Sequence, residues 1–266
     1  MSQSERATQF RSLHAKGELL RLPNAWDVGS ARLFEACGAR AIATTSAGLA
    51  WSLGYADGNQ VPARVLEAAA REIARVVRVP LSVDAEAGLA KDAGVVAETI
   101  GALLGAGAVG VNLEDGVDAP DLLQAKIEAA KRAAARAGVA LFVNARTDVY
   151  LKGLVPKELA REETIARGLA YRAAGADGFF VPGLAEPEAI RAVVAAVDLP
   201  LNVMLVPGLP TPRELQALGV RRLSAGSSIA QNVYSFARRE ALALLGDEKA
   251  ASAPSLTYPE LNALFR

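Results

Sequence analysis

The sequence predicts an α/β fold in which eight parallel strands close into a (β/α)8 barrel, followed by a C-terminal helical extension. Three observations predict it. Short runs rich in Val, Ile, Leu and Phe alternate with longer Ala/Leu/Arg/Glu stretches of helical period, the pattern of buried parallel strands joined by helices. Gly38, Gly107, Gly175 and Gly219 each stand a few residues before such a run, where the end of a helix calls for a residue tolerant of positive φ. The length of 266 residues suits one barrel better than two smaller domains.

The eight runs follow in order. The first is Leu19 to Ala25 and the second, after Gly38-Ala39, is Ala41 to Ser46. The third, Leu81 to Glu86, opens behind Pro80, at the one strand position where a missing N–H does little harm. Gly110 to Asp115 and Leu141 to Asp148 are the fourth and fifth, and Gly178 to Gly183 is the sixth. Leu201 to Val206 again opens behind a proline, Pro200, and Arg222 to Gly226 closes the set. A helix after each strand, with no G-x-G-x-x-G after the first, favours the closed TIM barrel over an open doubly wound sheet. Residues 1–245 are therefore read as the barrel and 246–266 as the extension, punctuated by Pro254 and Pro259. The apolar stretch Leu256 to Phe265 needs a covering surface, which points to a homodimer or homotetramer.

Composition narrows the partners. Lys plus Arg and Asp plus Glu number 29 each, so there is no basic footprint for nucleic acid or an anionic membrane, and a small molecule is expected. The polar start MSQSERATQF and the lack of a long uncharged apolar stretch predict a cytoplasmic protein. The single cysteine, Cys37, is expected to be a buried structural thiol, and the single histidine, His14, a surface or capping residue of a polar N-terminal helix. A histidine-rich zinc site is excluded, so carboxylates, Arg, Tyr, Ser or a metal must carry any chemistry.

The strand ends supply such groups. Asp84 and Glu86 stand two apart at the end of the third strand, which predicts that they share a face. Glu114 and Asp115 end the fourth. Carboxylates converging at a barrel mouth repel unless a cation intervenes, and an all-oxygen set selects Mg²⁺, with Mn²⁺ as the alternative, so Asp84, Glu86, Glu114 and Asp115 are the candidates among which a metal site is expected. Arg146 in Asn144-Ala145-Arg146-Thr147-Asp148 offers a planar fork for a carboxylate, with neutralisation of Asp148 or Glu114 as its structural alternative. The turn Ser46-Ala47-Gly48 offers a hydroxyl and backbone N–H groups to an anion. Asn24 and Asn202 interrupt apolar runs and either bind ligand or brace backbone. Two loops, Ala50 to Val61 and Val117 to Leu122, follow strands two and four and so belong to the catalytic face.

These residues in this order resemble the isocitrate lyase/phosphoenolpyruvate mutase superfamily, from Pro23-Asn24-Ala25-Trp26-Asp27 through Gly54-Tyr55-Ala56-Asp57 and Asp84-Ala85-Glu86-Ala87-Gly88 to Pro200-Leu201-Asn202. The resemblance implies cleavage or formation of a C–C or P–C bond beside an oxo-acid through a Mg²⁺-stabilised enolate. It implies that Asp84 ligates the metal directly and that Glu86 and Glu114 hold it through water. Arg146, Ser46, Ala47, Gly48 and Asn202 then serve the substrate, and Asp57 is a loop acid beside metal and substrate. It also implies exchange of a C-terminal helix between subunits. One departure stands out: Val117 to Gln124 contains neither the Lys-Lys/Arg-Cys-Gly-His loop of the true lyases nor the polar loop of the mutases. Asp57, or water, is then expected to handle the proton, with Glu114 and Arg146 also in the catalytic set. The expected activity is that of a Mg²⁺-dependent C–C lyase or decarboxylase on a small 2-oxo- or 2-hydroxy-dicarboxylate. A phosphonopyruvate-type hydrolase or mutase, or a barrel that binds a 2-oxo acid without turnover, are the alternatives.

Overall fold

A computed structural model describes residues 1–15, 17–246 and 257–259. The first strand is broken by Pro23 into two halves, Leu20–Leu22 and Asn24–Ala25, here together β1. The others are β2 (Ile42–Thr44), β3 (Leu81–Asp84), β4 (Gly110–Glu114), β5 (Phe142–Arg146), β6 (Gly178–Phe180), β7 (Leu201–Met204) and β8 (Arg222–Ser224). All neighbours are parallel. The first half of β1 pairs with β8, Leu20 opposite Arg222, and the second half with β2, Asn24 opposite Ala43, so the sheet closes on itself as a (β/α)8 barrel. Proline lacks the N–H that one ladder would use, so the break falls where the strand changes partner.

Every predicted strand is present, but the strands stop earlier than the apolar runs suggest. β3 ends at Asp84, and the chain then turns through Glu86 (φ 50°), Gly88 (φ 84°) and Leu89 (φ 61°). The alternation argument that put Asp84 and Glu86 on one strand face is therefore corrected: Glu86 leaves the strand in left-handed backbone. β2 ends at Thr44, because Thr45 already caps the short helix α3 (Ser46–Ser52), which absorbs the start of the expected loop from Ala50. β5 ends at Arg146, and Asp148 begins a further turn of helix, Val149–Lys152.

The helices are amphipathic or capped as the sequence suggests. The long α6 (Pro120–Ala137) starts with proline in its first turn and ends on Gly138 at φ 66°, where an L side chain would be strained. The barrel wall is apolar toward the helices, with Val83, Val111, Leu113, Val143, Ala145 and Val203 all buried. The helix α1 (Gln3–Leu13), opened by a Ser2/Glu5 capping box, covers the end of the barrel opposite the strand C-termini. Phe10 reaches so close to Gly110 that a Cβ there would sit 2.6 Å from its ring, and the rings of Phe10 and His14 pack on Phe142.

One single-residue expectation needs correction and another is narrowed. Cys37 is free and exposed at the C-cap of the helix Val28–Ala36, because its position falls on the outer side of that last turn. His14 is a cap, at the end of α1, but it is buried rather than superficial, with Nδ1 2.8 Å from the Phe10 carbonyl. Burial, with the charge of Arg222 nearby, pushes its imidazole down to about 3, so it is neutral. The final helix, Ser228–Leu245, ends at Gly246, and the expected exchange of a C-terminal helix and the apolar stretch Leu256 to Phe265 lie outside the described residues apart from Thr257–Pro259. Among the described residues no helix is long and apolar enough to cross a membrane.

Candidate active site

At the C-terminal ends of the strands lies a cavity of about 440 Å³. Asp84 comes from the last position of β3, Glu114 and Arg146 from the last positions of β4 and β5, where they are register partners, and Glu86 and Asp57 from the loops beyond β3 and α3. Ser46 and Ala47 line it from the first turn of α3, with Asn24, Asn112, Lys152, Phe180, Met204 and Ser224 around them. The active-site position is the one that parallel barrels use, because there each strand hands its last side chain to a loop.

Asp84 is held at its backbone by Thr44 Oγ1, which accepts from Asp84 N at 2.8 Å, while Asp84 Oδ2 accepts from Ser46 N at 3.3 Å. Its other oxygen, Oδ1, is buried without a hydrogen-bond partner. Burial raises the Asp84 carboxyl above its ordinary range, Asp57 adding to the effect and Arg146 opposing it. Glu86 is also buried, and desolvation followed by the charge of Asp57 pushes it up to about 8. Its turn is laced to the Asp57 loop: Asn59 N donates to Glu86 Oε2, and Ala87 N donates to Asn59 Oδ1 at 3.2 Å. From below, the buried Lys126 Nζ donates to the Ala87 carbonyl at 2.7 Å. Asn59 itself has φ 58°, a strain that an Asn tolerates better than most residues.

Arg146 is both a wall of the cavity and a brace. Its Nη1 lies 2.8 Å from Glu114 Oε2 and its Nε 2.6 Å from Asp148 Oδ1. Burial works against its charge, but Glu114, Asp148 and Asp84 outweigh that and hold the guanidinium above its usual value. Glu114 is nonetheless pushed up to about 7, because burial and the neighbouring Asp148 and Asp84 prevail over Arg146. With Nε and Nη1 engaged, a substrate carboxylate meets only the remaining N–H groups of the fork. Behind it, the buried Asp115 accepts from Asp148 N (2.9 Å), Arg167 Nη1 (2.8 Å) and Tyr171 Oη (2.7 Å), which fixes the turn that carries Arg146 and Asp148.

Two of the sequence candidates take other places. Asn202 is spent beneath the cavity, where its Oδ1 accepts from Asn144 Nδ2 at 3.1 Å and its Nδ2 donates to Val203 O at 2.7 Å and Ser224 Oγ at 3.1 Å; it does not line the cavity. The backbone of Gly48 is similarly packed away, since a Cβ there would lie 2.8 Å from Trp26 Cβ and 2.9 Å from Thr45 Cγ2. Asn24 braces backbone, one of the two roles that its sequence position suggested: its side chain ties Thr44 O (2.8 Å) to Ala225 N (2.9 Å) and Gly226 N (3.0 Å), and the residue also lines the cavity.

Sequence reasoning missed Asn112, Lys152, Phe180 and Tyr258. Asn112 was findable, being two residues before Glu114 on β4. Lys152 was also findable, four residues after Asp148 on a helix, and its Nζ lies 2.8 Å from Asp148 Oδ2. Phe180 carries Arg146 over its ring at 5.6 Å. Tyr258 had no local signal, because it arrives from the tail.

Four carboxylates on one cavity, with no histidine or thiol among them, form an oxygen-donor set for a hard cation. Among the described residues no three such side chains are drawn together tightly enough to hold a metal ion between them.

The comparisons with known proteins agree with one another. A candidate phosphonomutase from Burkholderia cenocepacia J2315 shares 44% identity and a TM-score of 0.83, over 91% of this chain and 99% of its own. An uncharacterised protein of Mycobacterium tuberculosis (strain H37Rv) is 36% identical over 96% of this chain and 95% of its own. Oxaloacetate acetylhydrolase, solved with its product oxalate, shares 26% identity and a TM-score of 0.82 over 99% of this chain and 94% of its own. The sequence itself matches the phosphoenolpyruvate phosphomutase family over residues 10–245, nearly the whole barrel. The chain belongs to that enzyme family, within the phosphoenolpyruvate mutase/isocitrate lyase superfamily.

Proposed function

We propose that the chain is a divalent-cation-dependent C–C lyase or decarboxylase that acts on a small 2-oxo- or 2-hydroxy-dicarboxylate by way of an enolate. The observation that carries this reading is the clustering of Asp57, Asp84, Glu86 and Glu114 on one cavity facing Arg146, with Asp84 Oδ1 buried and unpartnered. Burial makes ionisation of Asp84, Glu86 and Glu114 unfavourable, and a Mg²⁺ or Mn²⁺ ion would reverse that. When bound, such an ion would supply Lewis acidity where enolate charge develops.

The protein groups divide the remaining work. Arg146 and the first turn of α3, through Ser46 and Ala47, orient an oxygen-rich dianion, and Lys152 adds positive charge at the rim. Phe180, Met204 and Leu151 supply an apolar wall that displaces water from the reacting carbons. Asp57, which lines the cavity from the loop beyond α3, takes and returns the proton in this reading.

The 44% identity to a candidate phosphonomutase favours a second reading, P–C chemistry on a phosphonopyruvate-like acid. One experiment separates the two. The protein is incubated with Mg²⁺ and a panel containing oxaloacetate, 2-hydroxy-dicarboxylates and phosphonopyruvate, with products followed by NMR. Carboxylate fragments or CO₂ support the lyase reading; inorganic phosphate or a rearranged phosphate ester supports the second. Calorimetric binding without any product in the whole panel overturns both.

A further inference from the structure

The cavity has one neutral hydroxyl-bearing aromatic group on it, and that group comes from the far end of the chain. Tyr258 lines the cavity, and its Oη donates to Asp57 Oδ2. Its ring stands edge-on to Trp51, with centroids 5.7 Å apart, and Trp51 is buried against the start of the last helix through Ala230. The phenol is thus supported on one side by a fixed indole and on the other by the loop acid. Asp84 is the acid read above as the cation's ligand, and several other side chains that could exchange a proton are, among the described residues, committed or remote. Glu114 and Lys152 are tied to Arg146 and Asp148, Glu86 is tied to Asn59 N, Cys37 is exposed on an outer helix, and His14 lies at the opposite end of the barrel.

We propose that Tyr258 is a positioning residue for proton transfer: its hydroxyl fixes the carboxylate of Asp57 over the cavity, so that Asp57 exchanges the proton at the carbon next to the oxo group. The inference rests on the reading of the cavity as a 2-oxo-acid site. In the step itself the C–H bond of the bound acid breaks and its electron pair becomes that of the enolate. The proton forms an O–H bond on Asp57, and the reverse transfer restores the C–H bond. Tyr258 keeps its own proton throughout and acts only by holding Asp57 in place. The acid sits on the loop after α3 and before Gly58 (φ 100°), and this hydrogen bond ties it to an aromatic ring at the mouth.

The test uses the full-length protein with Mg²⁺, pyruvate as the probe and D₂O as solvent. Loss of the methyl proton signal by ¹H NMR reports exchange, and calorimetry with oxalate reports binding. Wild type is expected to bind oxalate and to exchange the methyl protons. In Y258F, which keeps the ring on Trp51, the saturated exchange rate is expected to fall about tenfold or more, while KM for pyruvate and Kd for oxalate stay within about threefold. D57N is expected to lose about a hundredfold, and the double variant no more than D57N alone, since a residue that acts only through Asp57 has nothing left to position. An unchanged rate in Y258F, a loss that appears only in KM, or losses that add in the double variant overturns the inference. Wild type that binds oxalate without exchange overturns it as well and leaves the oxo-acid site standing. Wild type that neither binds nor exchanges overturns the site reading and the inference together.

Discussion

Glu86→Gln isolates the electrostatic consequence of burying carboxylates around a cation site. Glu86 is pushed from 4.5 to about 8, chiefly by burial and then by Asp57. The folded value lies above the unfolded one, so the protonated form is the one the fold prefers. The associated stability is fully present below about pH 4.5 and is lost as pH rises through about 8. At about 1.4 kcal/mol per unit, the loss is on the order of 5 kcal/mol for Glu86 as an upper value. Glu114, raised to about 7, adds to it with the same sign. In a chain of this size roughly 2–4 °C of Tm accompanies each kcal/mol, so in EDTA wild type should lose on the order of 10 °C between pH 5 and 8.5. Gln copies the protonated carboxyl and still accepts from Asn59 N, so Glu86→Gln should be the more stable protein at pH 8.5 without metal and no better at pH 5. Added Mg²⁺ should raise the wild-type Tm more at pH 8.5 than at pH 5, because ionised ligands are then available to it. The assay is thermal melting of both proteins across that pH range, with EDTA and with Mg²⁺. A wild-type Tm in EDTA that is flat with pH, together with equal Mg²⁺ increments at both ends, would refute the reasoning.

Other expectations follow from single contacts. Asp84→Ala should abolish Mg²⁺-dependent oxalate binding by calorimetry while the far-ultraviolet dichroism stays native, since Asp84 closes no barrel hydrogen bond through its unpartnered oxygen. Arg146→Lys keeps the charge but cannot hold Glu114 and Asp148 with one planar group, so both it and Arg146→Ala should lose roughly ten- to a hundredfold in kcat/KM on whichever panel acid is turned over. A melting loss with unchanged kinetics would instead make Arg146 a brace alone. Asp115→Ala should destabilise by about 3–5 kcal/mol in urea unfolding, because it strands the half-buried Arg167 and frees the Tyr171 hydroxyl and Asp148 N–H at once. Gly48→Ala should cost about 1–3 kcal/mol by the same measurement, for its Cβ has Trp26, Thr45 and Ala230 within 3.2 Å.

Much of this architecture is legible in the sequence because parallel strands buried on both faces must be apolar runs, and the runs appear in the right number and order. Asp84, Glu114 and Arg146 could be located for the same reason: each is the last residue of its strand, where polarity returns. Glu86 was placed correctly at the mouth by an argument that does not apply, since its backbone is left-handed two residues beyond the end of the strand. Asn202 could not be distinguished from a ligand-binding residue, because the barrel interior contains a polar layer of its own. There Asn112, Asn144, Asn202, Ser224 and a fully buried Arg222 bond to one another, and Arg222, pulled down to about 10 by burial, has Asn112 Oδ1 at 3.4 Å. The exposed Cys37 was misjudged, and the burial of the capping His14 went unread, because one residue on a helix end carries no period from which to read its face. Tyr258 was invisible for the plainest reason, a contact with Asp57 across most of the chain.

The broken first strand makes the barrel a ring with a late clasp. Residues 20–22 wait for 222–224 to be synthesised, and Phe10 of α1 waits for Phe142, so neither the seam nor the plug can form from the N-terminal half alone. Contacts of such sequence separation form slowly, and until they do the chain carries an open parallel sheet with two unpaired edges. A chain that stops short of Arg222 therefore does not yield a smaller barrel. It yields two sticky borders, Leu20–Leu22 on one side and Leu201–Met204 on the other, each offering its ladder to the nearest copy of itself.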